Sequence, residues 1–502
     1  MNRDLTKLFK GQYDVLVVGG GINGAAIAYM AALTGARVAL IEKNDFASGT
    51  SSKSTKLLHG GIRYLENLEF DLVAESLKER YIQYKNAPHL VKLLSFVVPV
   101  YKNDLRPLWM MRLGVWLYDI LSGDYSVGRR QTLTAQDLVN LAPSINTKDL
   151  TGAVSYYDAQ MDDVRICLEN VLMAQLKGAH VANHGEVTEF LKDNGKCNGA
   201  RVKDSLTGKT FDVMARTVVV TAGPWSDELL SKDSKNNRAR LRPTKGVHVL
   251  YRGQVSDKAF LIQSSDKRVF FIIPFRGHSL IGTTDTDYKG SPDKVSVGQE
   301  DIEYLLTEAG RVFPQMVFTA DNIITSFAGL RPLVDEKKIP GKISRKHTVD
   351  RTFSGIWYVL GGKYTTYRAI ARECVQKILP ALSRKLPDET THPLYGSGDV
   401  KVDVKQVAAR FGVSSETVNY LIGFYGVRYW DVLRLIDDDS SLRVKLCECS
   451  PAIRAQAAYA VKTEMACNVD DVYERRLQLQ YSDCLSHHCR RSIEDVISTY
   501  VV

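Results

Sequence analysis

The most constraining feature of the sequence is a glycine-rich turn between an apolar run and a stretch of small residues. Tyr13 to Val18 (YDVLVV) is typical of a buried strand and leads directly into Gly19-Gly20-Gly21-Ile22-Asn23-Gly24. Ala25 to Thr34 (AAIAYMAALT) then predicts a helix that Gly35 ends, and Arg37 to Ile41 (RVALI) predicts a second strand. Together these segments predict a β-α-β unit of about 30 residues.

The spacing of the glycines has a physical meaning for phosphate binding. Gly19 allows the tight turn out of the strand, Gly21 lets the backbone approach a pyrophosphate, and Gly24 lets helix and strand pack closely. The positive end of the helix dipole then faces the phosphates. Glu42 follows the second strand, where it is placed to accept hydrogen bonds from an adenosine ribose. The unit therefore predicts dinucleotide binding, with FAD and NAD both open at this point.

Size and composition limit the remaining classes of protein. A chain of 502 residues is too long for one ordinary core, so two or three domains are expected. With 44% hydrophobic and 25% charged residues, a disordered chain, a collagen-like fibre and a disulfide miniprotein are excluded. The formal charge of +9 fits anionic lipid, nucleic acid or a phosphorylated substrate and selects none of them. Neither a secretory signal nor a membrane-spanning helix is expected, while contact with a membrane surface stays open.

The eight cysteines are scattered and form no repeated CxxC pairs. In a chain of this length we expect them to be mostly reduced, in an intracellular protein. Cys484-Leu-Ser-His487-His488-Cys489 contains residue types that bind metals, but a zinc site would need cleaner spacing. No metal is therefore predicted.

Periodicity gives a coarse map of the rest of the chain. Residues 66–86 predict an amphipathic helix, and strands are expected to dominate from about 150 to 330. The last hundred residues show helical periodicity, for example over 404–411 and 452–467, and a domain boundary is placed near 390. The apolar face of the helix predicted over residues 66–86 consists of Leu68, Leu72, Val73 and Leu77.

A polar loop after the first unit favours FAD over NAD. Gly49-Thr50-Ser51-Ser52-Lys53-Ser54-Thr55-Lys56 is followed by Leu57-Leu58-His59-Gly60-Gly61-Ile62-Arg63-Tyr64-Leu65-Glu66. This stretch resembles the second flavin-contacting segment of FAD-dependent glycerol-3-phosphate dehydrogenases, and residues 464–477 are similar to the helical cap domain of that family. Further matches follow in chain order: Thr221-Ala222-Gly223-Pro224-Trp225, Lys245-Gly246-Val247-His248, Gly282-Thr283-Thr284-Asp285, Gly329-Leu330-Arg331-Pro332-Leu333 and Gly361-Gly362-Lys363-Tyr364-Thr365-Thr366-Tyr367-Arg368.

The resemblance, which covers about residues 13–480, implies an α/β fold with three parts. A Rossmann-like FAD-binding domain is interleaved with a β-rich substrate domain, and a helical C-terminal domain follows. The implied ranges are 1–390 for the oxidoreductase region (FAD-binding segments about 13–90, 150–240 and 325–390; substrate segments about 91–149 and 241–324) and 391–502 for the helical cap.

The resemblance also implies the activity, which is oxidation of sn-glycerol 3-phosphate to dihydroxyacetone phosphate. A hydride would pass from C2 to flavin N5 and a base would take the hydroxyl proton. The residues implied for FAD binding are Gly19, Gly21, Ile22, Asn23, Gly24, Glu42, Lys43, Thr50, Ser51, Ser52, Lys56, Leu57, His59, Gly60, Gly61, Val187, Ala222, Gly223, Trp225, Gly329, Gly362, Lys363, Tyr364 and Thr365.

A phosphate ester needs fixed cations, and arginine offers a bidentate fork. By resemblance Arg331 is assigned to the substrate phosphate or the C2 oxygen, with pairing to a core carboxylate as the alternative. Arg63 and Tyr64 are positioning groups, and His248 is the first choice for the base. Lys363 is an electrostatic partner or holds a water near the flavin. Thr284 and Asp285 are expected to line the site.

The electron acceptor is the least constrained part of the prediction. Residues 105–121 combine Trp, Leu and Met with two arginines, which suits a membrane interface or an amphipathic core helix equally. The resemblance favours quinone, with the protein cytoplasmic or peripheral on the cytoplasmic face of the inner membrane. An oxidase that reduces O2 to H2O2 is the first alternative, although related oxidases often carry an internal insert that is not seen here.

The second alternative is a flavin-binding protein without redox turnover. Nothing in the sequence resembles a nucleic-acid-binding motif, and no EF-hand pattern is present, so neither nucleic acid nor calcium regulation is expected. The sequence leaves the oligomeric state open, and a homodimer is compatible with it.

Overall fold

The computed structural model describes residues 3, 5–234, 240–334, 346–382, 384–387, 392–483 and 488–500. Its strands are β1 Gln12–Val18, β2 Val38–Ile41, β3 Leu57–Leu58, β4 Val91–Tyr101, β5 Gln131–Leu133, β6 Leu150–Met161, β7 His180–Ala182, β8 Gly185–Asp193, β9 Lys196–Asp204, β10 Thr210–Val220, β11 Leu241–Tyr251, β12 Ala259–Gln263, β13 Val269–Phe275, β14 His278–Gly282, β15 Thr286–Asp287, β16 Ile323–Val334, β17 His347–Arg351 and β18 Trp357–Gly361. Its helices are α1 Leu5–Lys10, α2 Ile22–Leu33, α3 Phe70–Asn86, α4 Leu108–Ser122, α5 Ala135–Leu141, α6 Asp163–Leu176, α7 Ser226–Ser231, α8 Gln299–Val312, α9 Tyr367–Leu382, α10 Val404–Phe411, α11 Ser415–Tyr425, α12 Tyr429–Asp438, α13 Arg454–Glu464 and α14 His488–Tyr500.

The first sheet contains the predicted β-α-β unit. Its strand order is β17-β18-β10-β1-β2-β7, and the antiparallel pair β8–β9 extends it from β10. β1 lies parallel to both β2 and β10, so its carboxyl end, where the glycine turn begins, is at the centre of the sheet. β1 is buried on both faces after Gln12, because Val15 and Val17 belong to the hydrophobic cluster that contains α2, while Leu16 and Val18 belong to a second cluster on the other face.

The second sheet is largely antiparallel and carries the other half of the molecule. Its strand order is β15-β11-β14-β13-β12-β4-β6-β3, with β16 paired to β11 and β5 to β6. The β11–β16 ladder places His248 opposite Phe327, and Thr244 opposite Arg331. Because successive side chains of a strand point to opposite faces, His248, Phe327 and Arg331 lie on the same face of this ladder.

The C-terminal helices α10 to α14 have a hydrophobic core of their own. Buried ion pairs join this unit to the first sheet: Arg476 contacts Asp45, and Arg165 contacts Glu464. A buried ion pair is geometrically demanding, so these contacts define how the two parts meet. The architecture confirms the predicted fold class. The predicted boundary near 390 lies between α9 and α10, with residues 388–391 outside the described residues, and it stays a prediction.

The predicted helix over residues 66–86 was wrong at its start. Residues 62–67 form a 3-10 turn instead, and α3 begins at Phe70. Leu68 adopts a left-handed conformation with φ of 59°, which ends the turn and points its side chain outward with 73% exposure. Leu72, Val73 and Leu77 form the buried face without it. The predicted helix over 452–467 is likewise shorter, at Arg454–Glu464.

The expectation of mostly reduced cysteines does not extend to Cys447 and Cys489, which form a disulfide. Their Cα atoms lie 5.3 Å apart, within the range that a disulfide spans. Of residues 484–489, which contain residue types that bind metals, residues 484–487 lie outside the described residues and Cys489 lies in the first turn of α14. Sequence spacing gives no hint of the pairing because 42 residues separate the two cysteines.

Candidate active site

A cavity of about 590 Å³ lies between the two sheets. The glycine turn after β1 and the acid after β2 line one part of it, and side chains of β11 and β16 line another. Glycine-rich backbone and hydroxyl groups therefore surround one region, while cationic and aromatic side chains surround the other. Such a cavity can hold a long dinucleotide beside a small anionic molecule.

The glycine turn has the close packing that the sequence predicts. A Cβ on Gly24 would lie 1.9 Å from the Gly19 carbonyl oxygen, so no other residue fits there. Ser51 Oγ accepts a hydrogen bond of 2.9 Å from the Ile22 amide at the start of α2. Glu42 accepts hydrogen bonds from the Gly20 and Asn44 amides, and burial raises the pKa of its carboxyl group despite these bonds.

Most of the residues predicted to bind the cofactor line the cavity. Lys43 and Trp225 meet at one edge of it, where the Lys43 ammonium lies 4.8 Å from the indole centroid and both contact Asp293. The predicted cofactor residues on the wall are Gly19, Gly21, Ile22, Asn23, Glu42, Lys43, Thr50, Ser51, Leu57, His59, Gly61, Val187, Ala222, Gly223, Trp225, Gly329, Gly362, Lys363, Tyr364 and Thr365.

Five predicted site residues are not among those that line the cavity, and their assigned roles stay predictions. Gly24 serves packing, and the Ser52 carbonyl accepts a hydrogen bond from Lys56. The Lys56 side chain is 1% exposed and forms a 2.6 Å ion pair with Asp163. The Gly60 amide bonds to Tyr118. Thr284 lies between β14 and β15, is 3% exposed and accepts a hydrogen bond from the Val247 amide through its hydroxyl, whereas its neighbours Thr283 and Asp285 line the cavity.

His248 lies on β11 with 2% of its surface exposed. Its Nε2 lies 2.9 Å from Thr55 Oγ1, and its ring stacks on Phe327 with centroids 5.0 Å apart. Burial, and then the charges of Arg331 and Lys56, hold the pKa of this imidazole well below its usual value. The ring is therefore neutral near pH 7. Nδ1 is buried without a hydrogen-bond partner among the described residues.

Arg331, on β16, lies across the β11–β16 ladder near His248. Its Nη1 lies 3.0 Å from Asp285 Oδ1, and its Nη2 donates a 2.8 Å hydrogen bond to Thr283 Oγ1. A Cβ on Gly246 would lie 2.5 Å from Nη2, so the glycine makes room for the guanidinium. The carboxylate pairing weighed from the sequence is thus present, but both partners line the cavity rather than the core.

Lys363, Tyr64 and Arg63 form a second polar group at the cavity. The Lys363 ammonium donates a 3.2 Å hydrogen bond to the Gly60 carbonyl and lies 4.5 Å from the Tyr64 ring centroid. Lys363 and Tyr64 are 9% and 8% exposed, so the Lys363 ammonium is a nearly buried cation in the cavity wall. Gly361 and Gly362 precede the lysine with positive φ angles of 71° and 93°. The structure thus brings the predicted substrate residues, except Thr284, to one cavity.

Sequence reasoning did not single out four wall residues that contribute polar groups. Thr55 contacts His248, and Thr283 contacts Arg331. Arg268 Nη1 donates to the Asp285 carbonyl, while Lys53 lies 5.9 Å from the Phe327 ring centroid. Thr55, Thr283 and Lys53 lie inside matched motifs, so their position was a usable signal. Arg268 lies between two strands without such a signal.

Two family models together match most of the chain. The model "FAD dependent oxidoreductase" matches residues 14–376, and "C-terminal domain of alpha-glycerophosphate oxidase" matches residues 389–499. The glycerol-3-phosphate dehydrogenase of a Synechocystis strain is 36% identical over 498 residues, covering 94% of this chain and 90% of that protein. The chain belongs to the FAD-dependent glycerol-3-phosphate dehydrogenase family.

Further members of the family agree. The aerobic glycerol-3-phosphate dehydrogenase of Bacillus subtilis is 34% identical over 497 residues, covering 95% of this chain and 88% of that protein. The X-ray structure of the Bacillus halodurans glycerol-3-phosphate dehydrogenase, complexed with FAD, matches with a TM-score of 0.80 and 29% identity. The match covers 99% of this chain and 92% of that one. These findings confirm the predicted family and FAD as its cofactor.

The residues present fit FAD. The close packing at Gly24 leaves the first turn of α2 facing the cavity, as a pyrophosphate requires, and Glu42 stands at the end of β2. The same cavity is lined by the hydroxyl-rich loop and by Gly362 and Lys363, the segments predicted to contact the rest of the dinucleotide. The assignment of individual residues to FAD stays a prediction.

Proposed function

We propose that this member of the family oxidises sn-glycerol 3-phosphate to dihydroxyacetone phosphate with FAD. Its relatives from Synechocystis and Bacillus subtilis are named glycerol-3-phosphate dehydrogenases. One observation carries the proposal for this chain. Among the side chains that line the same cavity as the glycine turn are the cations Arg63, Arg331 and Lys363 and the neutral imidazole of His248.

The three cations suit a phosphate ester. A phosphate dianion is bound best by fixed donors with positive charge, and arginine can donate two parallel hydrogen bonds to it. Arg331 is held by Thr283 and Asp285, so its guanidinium is oriented before a ligand arrives. Lys363 is held in the same way by the Gly60 carbonyl. The dianion would compete with Asp285 for Arg331.

His248 suits the role of the base that takes the C2 hydroxyl proton. It is neutral near pH 7, so one ring nitrogen carries a lone pair. The charge of Arg331 contributes to its low pKa, and a bound phosphate dianion would offset that charge. Substrate binding would therefore raise the basicity of the imidazole. Thr55 and Phe327 fix the orientation of the ring.

When bound, the flavin ring supplies the acceptor for the hydride leaving C2. The chain's own contribution is orientation and exclusion of water. The aromatic side chains of Tyr64, Tyr156 and Phe271 line the cavity beside the cations, and a low local dielectric strengthens the charge interactions there.

The visible spectrum of the holoenzyme under argon tests the proposal directly. Adding glycerol 3-phosphate should bleach the oxidised-flavin band, while glycerol without the phosphate should not. An R331M variant should keep the band and need far more substrate to bleach it. A flavin band that glycerol 3-phosphate leaves unchanged would refute the substrate, and a chain that cannot be loaded with FAD would contradict the cofactor assignment.

For the electron acceptor we infer a membrane quinone, reached from a membrane surface. α4 carries Trp109, Leu113, Trp116 and Ile120 at spacings of four, three and four residues, which places them on one helical face. Each of these side chains is between 46% and 66% exposed. Arg112 lies exposed within the same face. Trp and Leu beside arginine are typical of helices that lie in the interface of an anionic membrane.

The sequence of α4 suits a membrane interface and a protein core equally, and the exposure of its apolar face favours the membrane interface. Among the described residues, no helix combines the length and the apolar composition needed to cross a bilayer, so the proposed contact is peripheral. The cytoplasmic face stays a prediction. Oxygen consumption measured with and without a soluble quinone separates the acceptors: fast turnover with oxygen alone would favour an H2O2-forming oxidase instead.

A further inference from the structure

Three cysteines converge at the edge of the C-terminal helical unit, away from the FAD cavity. Cys447 and Cys449 lie in the loop between α12 and α13, and Cys489 lies in the first turn of α14. Their three Sγ atoms all lie within 4.8 Å of one another. The Sγ of Cys449 is 2.9 Å from that of Cys447 and 3.8 Å from that of Cys489. None of the three cysteines lines the FAD cavity.

The loop that presents two of these sulfurs is closed by its own backbone. Lys445 and Ile453 form an isolated β-bridge, and the Leu446 amide donates a 2.9 Å hydrogen bond to the Ala452 carbonyl. The loop therefore presents the Cys-x-Cys pair from a fixed base. Cysteine thiolates are common ligands of zinc, so three sulfurs held this close together form a candidate zinc site.

We propose that the thiolates of Cys447, Cys449 and Cys489 bind a structural Zn²⁺ ion. A disulfide joins only two of the sulfurs, whereas a metal ion uses all three. Tetrahedral zinc with Zn–S bonds of about 2.3 Å separates its sulfur ligands by about 3.8 Å. The distance from Cys449 Sγ to Cys489 Sγ has that value, whereas Cys447 Sγ is 2.9 Å from Cys449 Sγ and is joined to Cys489 by the disulfide, so it would move outward to bind the ion.

The balance of the binding step is simple. The cysteines enter the folded chain as thiols, and hydrated Zn²⁺ displaces their three protons to solvent while three Zn–S bonds form and one water stays in the fourth position. The Cys447–Cys489 disulfide is then the metal-free alternative of the same cluster, formed when an external two-electron oxidant such as a peroxide removes two electrons from the two thiolates and the ion is released.

The site would hold α14 against the rest of the helical unit. Cys489, Ile493 and Val496 form the buried face of α14, which packs on α13. The metal would add a cross-link at the start of that helix, so its loss should destabilise the C-terminal unit without changing the FAD cavity.

Metal analysis of the holoenzyme tests the proposal. The chain is purified under argon with a non-thiol reductant, and zinc per chain is measured by plasma mass spectrometry. We expect about one zinc for the wild type and for the control C197S, and at least a tenfold lower content for C449S. Replacing zinc with Co²⁺ should give thiolate-to-cobalt absorption in the wild type only.

A measurement on the unsubstituted chain covers the case in which C449S fails to fold. A mercurial reagent should release the zinc of the wild type in proportion to the thiols that it blocks. Wild-type protein without zinc, in which alkylation and mass analysis find Cys447 joined to Cys489, would overturn the proposal. Zinc retained at full content in a folded C449S variant would overturn it as well.

Discussion

At the scale of single residues, the burial of His248 determines its charge. The ring is 2% exposed and its pKa lies well below 6.5, whereas the unfolded chain titrates near 6.5. Below that pH the unfolded state therefore binds a proton that the folded state excludes. Folding stability falls by about 1.4 kcal/mol for each pH unit between the two pKa values.

An H248N variant lacks this titration. Between pH 7.5 and pH 5, the thermal midpoint of the wild type should fall further than that of H248N, with the difference developing from about pH 6.5 downward. Differential scanning calorimetry of the two holoenzymes measures it. Midpoints that move in parallel over this range would mean that the imidazole is solvated, contrary to its burial.

The same variant tests the proposed base. Because a general base typically contributes roughly 10²- to 10⁴-fold to a rate, H248N should lower kcat by at least about 10²-fold with FAD content unchanged. Flavin bleaching by stopped flow under argon measures the step directly. A rate close to that of the wild type would assign proton removal to another group.

Arg331 tests the recognition of phosphate. A charge-assisted hydrogen bond contributes about 1.5–3 kcal/mol, so loss of the guanidinium in R331M should lower kcat/KM by roughly 10²-fold or more. R331K keeps the positive charge without the paired donors of the guanidinium, so its kcat/KM should lie between those of the wild type and R331M. Arg252, whose side chain pairs with Asp483 outside the cavity, supplies the control R252M. A fall in kcat alone would place Arg331 at the C2 oxygen rather than at the phosphate.

At the scale of elements, the glycine unit was predictable and the boundaries around it were not. A side chain on Gly24 would clash with the Gly19 backbone, so the fold requires glycine at this position. The requirement therefore shows in the sequence as a fixed spacing of glycines. The start of α3 depends instead on the left-handed conformation of Leu68, which a leucine adopts only under local tertiary constraint. The position of Thr284 behind the wall likewise follows from one hydrogen bond to Val247, which periodicity cannot reveal.

The helix α4 was ambiguous for a related reason. Its composition suits a core and a membrane interface equally, and only the packing of Val115 and Tyr118 inward shows which residues remain outside. Likewise, long-range pairs such as Arg331 with Asp285 arise from strand register, which no local pattern specifies.

The exposed face of α4 yields a prediction for that element. A W109S/W116S variant should bind vesicles with 30% anionic lipid at least tenfold more weakly than the wild type, because each Trp buries a large apolar surface in the interface. Co-sedimentation measures it. The control L176S/L206S alters two exposed leucines on other surfaces and should bind normally. Equal pelleting of both variants would place the membrane contact elsewhere.

At the scale of the whole molecule, a buried charge network joins the C-terminal unit to the FAD-binding sheet. Arg476 donates to both oxygens of Asp45 at 2.5 and 2.8 Å, and Arg475 donates to the same carboxylate at 2.5 Å. Burial raises the pKa of Asp45, but the guanidinium groups outweigh it and lower the pKa to about 2. The carboxylate is therefore charged throughout the physiological range.

The segment that follows these arginines reaches toward the active site. Gln478 donates to Asp162, and Tyr481 lies against Phe327 and the ammonium of Lys56. Phe327 in turn stacks on His248. Disturbing the network at Asp45 should therefore affect both stability and the orientation of the proposed base.

A D45N variant leaves Arg476 buried without its counter-charge, which typically costs about 3–5 kcal/mol. We expect a lower thermal midpoint of the holoenzyme, faster proteolysis between the two parts and a reduced kcat. Asp212, which pairs with Arg201 at the surface, gives the matched control D212N, and little change is expected there because solvent screens that pair. If D45N and D212N had the same small effect on the thermal midpoint, the C-terminal unit would be held by its apolar contacts. If kcat were also unchanged in D45N, the contacts from Arg476 through Tyr481 to His248 would not affect the proposed base.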